Sequence, residues 1–177
     1  MLIEELTRQE SLDVLVGVRL GRLACSQALQ PYIVPFHFAY QNNRLYSFSM
    51  PGQKIDWMRA NPLVCVEADN MRREHWTTVV VFGRYLELSD TAEMHTERAL
   101  ALKLLQQRAE WWKIGSARIA QTGTRPALLP IFYRIDIVQI TGRHGAFESA
   151  APDTSPCTAD SAKSGWLHNL VRGGRRR

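Results

Sequence analysis

Gly52-Gln53-Lys54 is the stretch of this chain whose residue types are best suited to chemistry. Three things meet there. Glycine lets a ligand approach the backbone, the first N–H groups of a helix point away from its own ladder, and the lysine adds a full charge. Together they make a cradle for a phosphate-bearing ligand. A cation at a helix start is disfavoured by the macrodipole unless an anion sits there. Taken alone, however, Lys54 also reads as a solvated surface lysine. The remaining reactive side chains form no comparable group. His37, His75, His95, His144 and His168 have no metal-ligand spacing. Cys25, Cys65 and Cys157 are odd in number and unpaired in spacing, which argues against a disulfide framework or a zinc site. No ordered Ser-His-Asp or Cys-His set and no pair of carboxylates stands out.

The cradle needs elements to hold it. Residues Tyr32 to Tyr40 read as a strand whose even-numbered side chains (Tyr32, Val34, Phe36, Phe38, Tyr40) form one apolar face. Asn42-Asn43 suits a tight hairpin turn, and a second strand, Arg44 to Ser49, runs into Pro51-Gly52 and a helix that continues over Ile55–Arg59. Asn61-Pro62 stops that helix. Upstream, Thr7-Arg8-Gln9-Glu10 matches a capping box for a helix through Leu12, Leu15 and Val16, with Gly17 near its end. Arg22 to Ser26 reads as a short strand. Downstream come a strand Leu63–Ala68, a charged loop from Asp69 to His75, and a long strand Trp76–Leu88 with Gly83 as a bulge. Thr91 to Trp112 is predicted helical, residues 115–130 loop-like, and Ile131–Thr141 a final strand. Six strands with short connections predict a mainly β protein with helices (α+β), built on a six-stranded antiparallel barrel.

Composition places this domain at residues 1–148. Residues 149–177 form a polar Ala/Ser/Pro/Thr tail with too few apolar groups to fold, and truncation there is expected to leave the barrel's functions intact. Its end, Trp166 to Val171 followed by arginines, could order as one amphipathic turn on contact with the body, an acidic partner or anionic lipid. The net charge of +5 is mostly in that tail, since residues 150–177 hold five basic and two acidic side chains. The nearly balanced body argues against nucleic-acid binding. No apolar run reaches the roughly 18 residues of a membrane helix, so no membrane insertion is expected. The acidic start Met1-Leu2-Ile3-Glu4-Glu5 lacks the pattern of a signal peptide, and a cytoplasmic location is the expectation.

Four segments in order, Gly21-Arg22-Leu23-Ala24, Tyr32-Ile33-Val34-Pro35, Leu45–Ser49 with Gly52-Gln53-Lys54 and Asn61-Pro62, and Trp76–Gly83, resemble the pyridoxamine 5′-phosphate oxidase-like, FMN-binding split-barrel proteins. The nitroimidazole-resistance-like branch is the nearest in pattern, and the resemblance spans roughly residues 8–142. It implies a split barrel, a homodimer with FMN in the interface grooves, and flavin-dependent oxidoreduction of a small molecule. It also implies site roles. Lys54 would contact the FMN phosphate, with Gly52 and Gln53 nearby. Val34, Pro35 and Phe36, with Ser47, Phe48 and Ser49, would line the isoalloxazine. Thr78 would hydrogen-bond phosphate or ribityl oxygens beside Trp76 and Val79, although a threonine in a β-branched run also reads as a plain strand residue. Members of the branch often carry histidine where Ser47 stands. Gln53-Lys54 replaces the Arg-Lys pair of the true oxidases, which argues against vitamin B6 oxidation. Two alternatives stay open: a haem-binding protein of the same fold using His37, and a non-enzymatic flavin-binding module.

Overall fold

The computed structural model describes residues 2–72, 75–107 and 129–146. The chain runs β1 (Leu2–Leu6), α1 (Arg8–Gly17), β2 (Leu20–Gln27), β3 (Gln30–His37), β4 (Ala39–Gln41), β5 (Arg44–Ser49), α2 (Gln53–Ala60), β6 (Leu63–Met71), β7 (His75–Glu87), α3 (His95–Gln106) and β8 (Ile131–Ala146). All the strands join one antiparallel sheet in the order β3-β2-β6-β7-β8-β5-β4, with β1 added on β8. The class is the expected α+β split barrel, but the described residues form eight strands rather than the six predicted.

Both extra strands have a physical origin. β7 is long enough to pair with β8 from Glu87↔Tyr133 down to His75↔Ala146, so β8 runs on past Thr141. The second edge of β8 is then shared, Ile131–Asp136 by β5 and Gly142–Ala146 by β1. The predicted strand 32–40 divides at Phe38, whose N–H goes to the Arg19 carbonyl at 3.3 Å. Before that point the chain pairs with β2, and after it with β5. The predicted charged loop shrinks as well. Asp69–Met71 stay in β6 opposite Trp76–Thr78, and His75 opens β7.

Local signals elsewhere act as read. Thr7 and Glu10 close a reciprocal capping box on α1. Asn42 and Asn43 take φ of 51° and 61°, the left-handed pair a two-residue hairpin needs. A register shift falls between Phe82 and Gly83, where a Cβ would lie 2.4 Å from Ile135 Cγ2. α3 begins at His95 rather than Thr91, because residues before it form a turn closed by Met94 N–H to the Thr91 carbonyl at 3.1 Å. The predicted end of that helix at Trp112, most of the predicted loop 115–130, and the tail lie outside the described residues.

The barrel interior is filled by Leu23, Phe36, Phe38, Val66, Val79, Val81, Tyr133 and Ile135, closed at one side by Leu12 and Leu15 of α1 and by Ile55 and Met58 of α2. A second cluster of Tyr46, Leu88, Phe132, Ala101 and Leu105 lies under α3. Glu97 of α3 receives Arg44 Nη1 at 3.1 Å, the Tyr46 hydroxyl at 3.2 Å and Arg134, which clamps the helix to β5 and β8. No described helix is long and apolar enough to cross a membrane.

Candidate flavin cleft

The hairpin β4–β5 starts paired, Gln41↔Arg44 through Ala39↔Tyr46, and then its two arms part. β3 goes to β2 while β5 goes to β8. At the point of parting, the Ser47 hydroxyl donates to the His37 carbonyl at 2.7 Å and holds the arms together. Beyond that tie the strands diverge, leaving Val34, Pro35 and Phe36 on one arm and Ser47, Phe48 and Ser49 on the other. α2 packs on the β2–β3 arm. Ile55 and Met58 are fully buried, the Trp57 ring meets Tyr32 edge-on at 5.5 Å, and the Asn61 amide donates to the Ser26 carbonyl at 3.1 Å. The start of α2, with Gly52, Gln53 and Lys54, follows directly on the end of β5, with Lys54 near Cys25 of β2.

The electrostatics of that start are unusual. The Gly52 carbonyl accepts from Ile55 N–H at 2.9 Å and Asp56 N–H at 3.1 Å, so the Gln53 and Lys54 amides lie ahead of the helix ladder. A Cβ on Gly52 would meet nothing within 4 Å, so the space above it is open. Lys54 is half-buried, and burial lowers its pKa from the ordinary lysine value, partly offset by Cys25. In return, burial raises the Cys25 thiol while the Lys54 charge pulls it down, so the two groups lie near one another. Among the described residues no carboxylate pairs with Lys54. A desolvated ammonium at the positive end of a helix, without a counter-ion, is a poor structural element and a good anion anchor.

The free edge of β3 adds a second binding element. Among the described residues β3 pairs only with β2. Pro31 and Pro35 have no N–H, so Ser26↔Pro31 and Arg22↔Pro35 occupy the non-bonded positions of the ladder, and Ala24↔Ile33 between them shares their parity. Residues 31, 33, 35 and 37 therefore aim their backbone polar groups away from β2. The His37 carbonyl, which accepts from the Ser47 hydroxyl, agrees with this parity. Between the two prolines the edge offers one donor–acceptor pair, the N–H and C=O of Ile33. Sequence reasoning missed Ile33. The alternating prolines were the signal that could have found it.

The predicted side chains do not all line this cleft. Phe36 and Ser47 are buried in the core and back it, and Phe48 packs on Phe132 with ring centroids 5.9 Å apart. The Ser47 hydroxyl is committed to His37. Next to it lies the Tyr133 hydroxyl, fully buried and close enough to the Ser47 side chain to feel it. Burial raises the Tyr133 pKa, which keeps that hydroxyl a neutral donor. Trp76, Thr78 and Val79 stand on β7, separated from β3 by β2 and β6. Val79 points into the core. The Thr78 hydroxyl donates to Glu67 at 3.1 Å, and Glu67 is bridged to Arg22 at 3.1 Å. The Trp76 indole lies across Gly145, where a Cβ would come within 2.4 Å of the ring. Within one chain, then, Trp76 and Thr78 belong to the outer face of the sheet and not to the cleft.

This architecture has known relatives. Residues 7–144 match the family model described as pyridoxamine 5′-phosphate oxidase. An uncharacterized protein of Rhizobium meliloti is 42% identical over 144 residues, which is 81% of this chain and 95% of that protein. Among solved structures, an FAD-binding protein of Mesorhizobium loti is 41% identical with a TM-score of 0.69, over 82% of this chain and all of that one. An FAD-binding protein of Mycobacterium smegmatis is 25% identical with a TM-score of 0.60, over 82% of this chain and all of that one. A Bacteroides thetaiotaomicron protein named for 5-nitroimidazole antibiotic resistance shares the fold at 16% identity and a TM-score of 0.60, over 81% of this chain and 89% of that one. The family match takes in α1, the cleft, both of its diverging strands and nearly all of β8, and the chain belongs to the pyridoxamine 5′-phosphate oxidase family.

Proposed function

We propose that the chain binds FMN in this cleft and uses it for oxidoreduction of a small molecule in the cytoplasm. The observation that carries the reading is Lys54, a half-buried cation at the start of α2 with no carboxylate partner among the described residues. A phosphate there would meet the ammonium and the Gln53 and Lys54 amides together. The Ile33 N–H and C=O could pair with the imide edge of an isoalloxazine, the C=O accepting from its N–H and the N–H donating to one of the two carbonyls that flank it. Val34 and Pro35 on one side, and Phe48 and Ser49 on the other, would border the ring. The FAD-binding names of the Mesorhizobium loti and Mycobacterium smegmatis proteins support a flavin. The bound flavin would supply the electron chemistry. The protein's part would be to anchor the phosphate, orient the ring through Ile33 and restrict the access of water.

The same reading makes the chain a homodimer. Trp76 and Thr78 reach a flavin in the cleft only if a second copy brings its outer sheet face to the first. That face carries exposed apolar side chains, Ile33 at 63%, Leu63 at 62% and Phe82 at 48%, around the Arg22–Glu67 pair. Large exposed apolar groups clustered on one face mark an interaction surface. The absorption spectrum of the purified protein tests the cofactor. Bands near about 375 and 450 nm are the expected flavin signature. A dominant Soret band, or no chromophore and no uptake of added FMN, would overturn the assignment.

A further inference from the structure

We infer that the C-terminal segment Trp166–Arg177 docks in cis along the free edge of β1. Among the described residues β1 pairs with β8 and with nothing else. It is an exposed edge strand with Leu2 at 62% and Ile3 at 50% exposure, followed by the exposed Glu4 and Glu5. An edge of this kind, apolar and unpaired, is a template for another strand or peptide. Its charge selects the partner. Residues 2–13 carry Glu4, Glu5, Glu10 and Asp13 against Arg8 alone. The end of the chain carries the complement, Trp166, Leu167, Leu170 and Val171 followed by Arg172, Arg175, Arg176 and Arg177.

Geometry makes this segment the nearest occupant. β8 ends at Ala146 directly opposite Leu2 of β1, so the chain leaves the sheet beside the edge in question. The nineteen residues from 147 to 165 have a covalent reach of at most roughly 60 Å, against about 17 Å for a five-residue strand, so the segment can reach the edge. Because the segment belongs to the same chain, its encounter with the edge is intramolecular, which favours docking in cis over docking in trans. Residues 147–177 lie outside the span matched by the family model, 7–144. Apolar side chains of the segment would cover Leu2 and Ile3, with the arginines over Glu4 and Glu5.

Hydrogen exchange of the full-length protein tests the docking at low salt. Leu2–Leu6 amides should exchange about tenfold faster in Trp166→Asp/Leu170→Asp than in the natural chain. Glu4→Arg/Glu5→Arg should show the same loss, and adding Arg175→Glu/Arg176→Glu to that variant should restore slow exchange. Equal exchange in the natural chain and the Trp166→Asp/Leu170→Asp variant would overturn the inference. So would protection that grows with protein concentration, which would assign the edge to a second copy. Protection that appears only with phosphatidylserine vesicles would assign the segment to lipid instead.

Discussion

Replacing Lys54 by methionine separates the cost of this residue from its use. In the free protein the ammonium is half-buried, desolvated, and set against the helix dipole with no counter-ion among the described residues. Lys54→Met keeps the aliphatic stem and removes the charge, so the free protein should be as stable as the natural one or more so. The pH dependence has a definite sign. A lysine whose pKa is lowered by folding binds more protons in the unfolded state, so stability rises with pH between the lowered pKa and the ordinary lysine range. The difference between the natural and Lys54→Met proteins isolates this slope from the other titrating groups. Binding should respond in the opposite direction. A charged hydrogen bond to phosphate contributes about 1.5–3 kcal/mol, which corresponds to roughly 10- to 150-fold in Kd. A titration followed by flavin fluorescence, with FMN and riboflavin in parallel, reads this directly. FMN should weaken by that factor while riboflavin, which lacks the phosphate, keeps its affinity. Unchanged FMN affinity would refute the anchor. An equal loss for both flavins would show that Lys54 acts by packing and not through the phosphate.

Three further outcomes follow from single contacts. Ile33→Pro removes the one N–H that the free edge of β3 offers between Pro31 and Pro35 without touching the β2 ladder, so FMN and riboflavin should both weaken by about 0.5–1.5 kcal/mol while Ile33→Ala leaves them nearly unchanged; equal affinities in Ile33→Pro would remove the edge from the site. Ser47→Ala breaks the 2.7 Å tie to the His37 carbonyl at the parting of the strands and should cost about 1–3 kcal/mol in denaturant unfolding. An unchanged midpoint would show that the arms are held apart from that bond. Phe82→Asp places a charge on the exposed outer face and should convert a dimer of this 20.2 kDa chain into monomers by sedimentation; a natural protein that already sediments as a monomer would end the dimer reading.

Much of the framework was legible from local chemistry. The capping box of α1, the Asn42-Asn43 turn, the stop at Asn61-Pro62 and the bulge at Gly83 each depend on neighbours in the chain, and each is where its residues predict. The β2–β3 turn was less readable. Ala28 and Leu29 take φ of 47° and 66°, a conformation that neither residue favours and that pairing on both sides imposes. Strand number was also hidden. Whether a segment such as Leu2–Leu6 is a strand depends on a partner, here the far end of β8, some 140 residues away. The division at Phe38 is of the same kind, because a continuous apolar face says nothing about which neighbour each half will pair with.

For the proposed site, residue type alone named the candidate cradle, since a glycine, a helix start and a lysine in sequence have their chemistry wherever they fold. That the lysine is desolvated, lacks a carboxylate partner among the described residues and lies near Cys25 is a property of packing, and no spacing rule contains it. The same holds for the edge at Ile33 and for the placing of Trp76 and Thr78 on a different face from the cleft. Side-chain chemistry is written locally. Burial, free edges and which faces meet are settled only when distant strands pair, and those decide what the local chemistry can be used for.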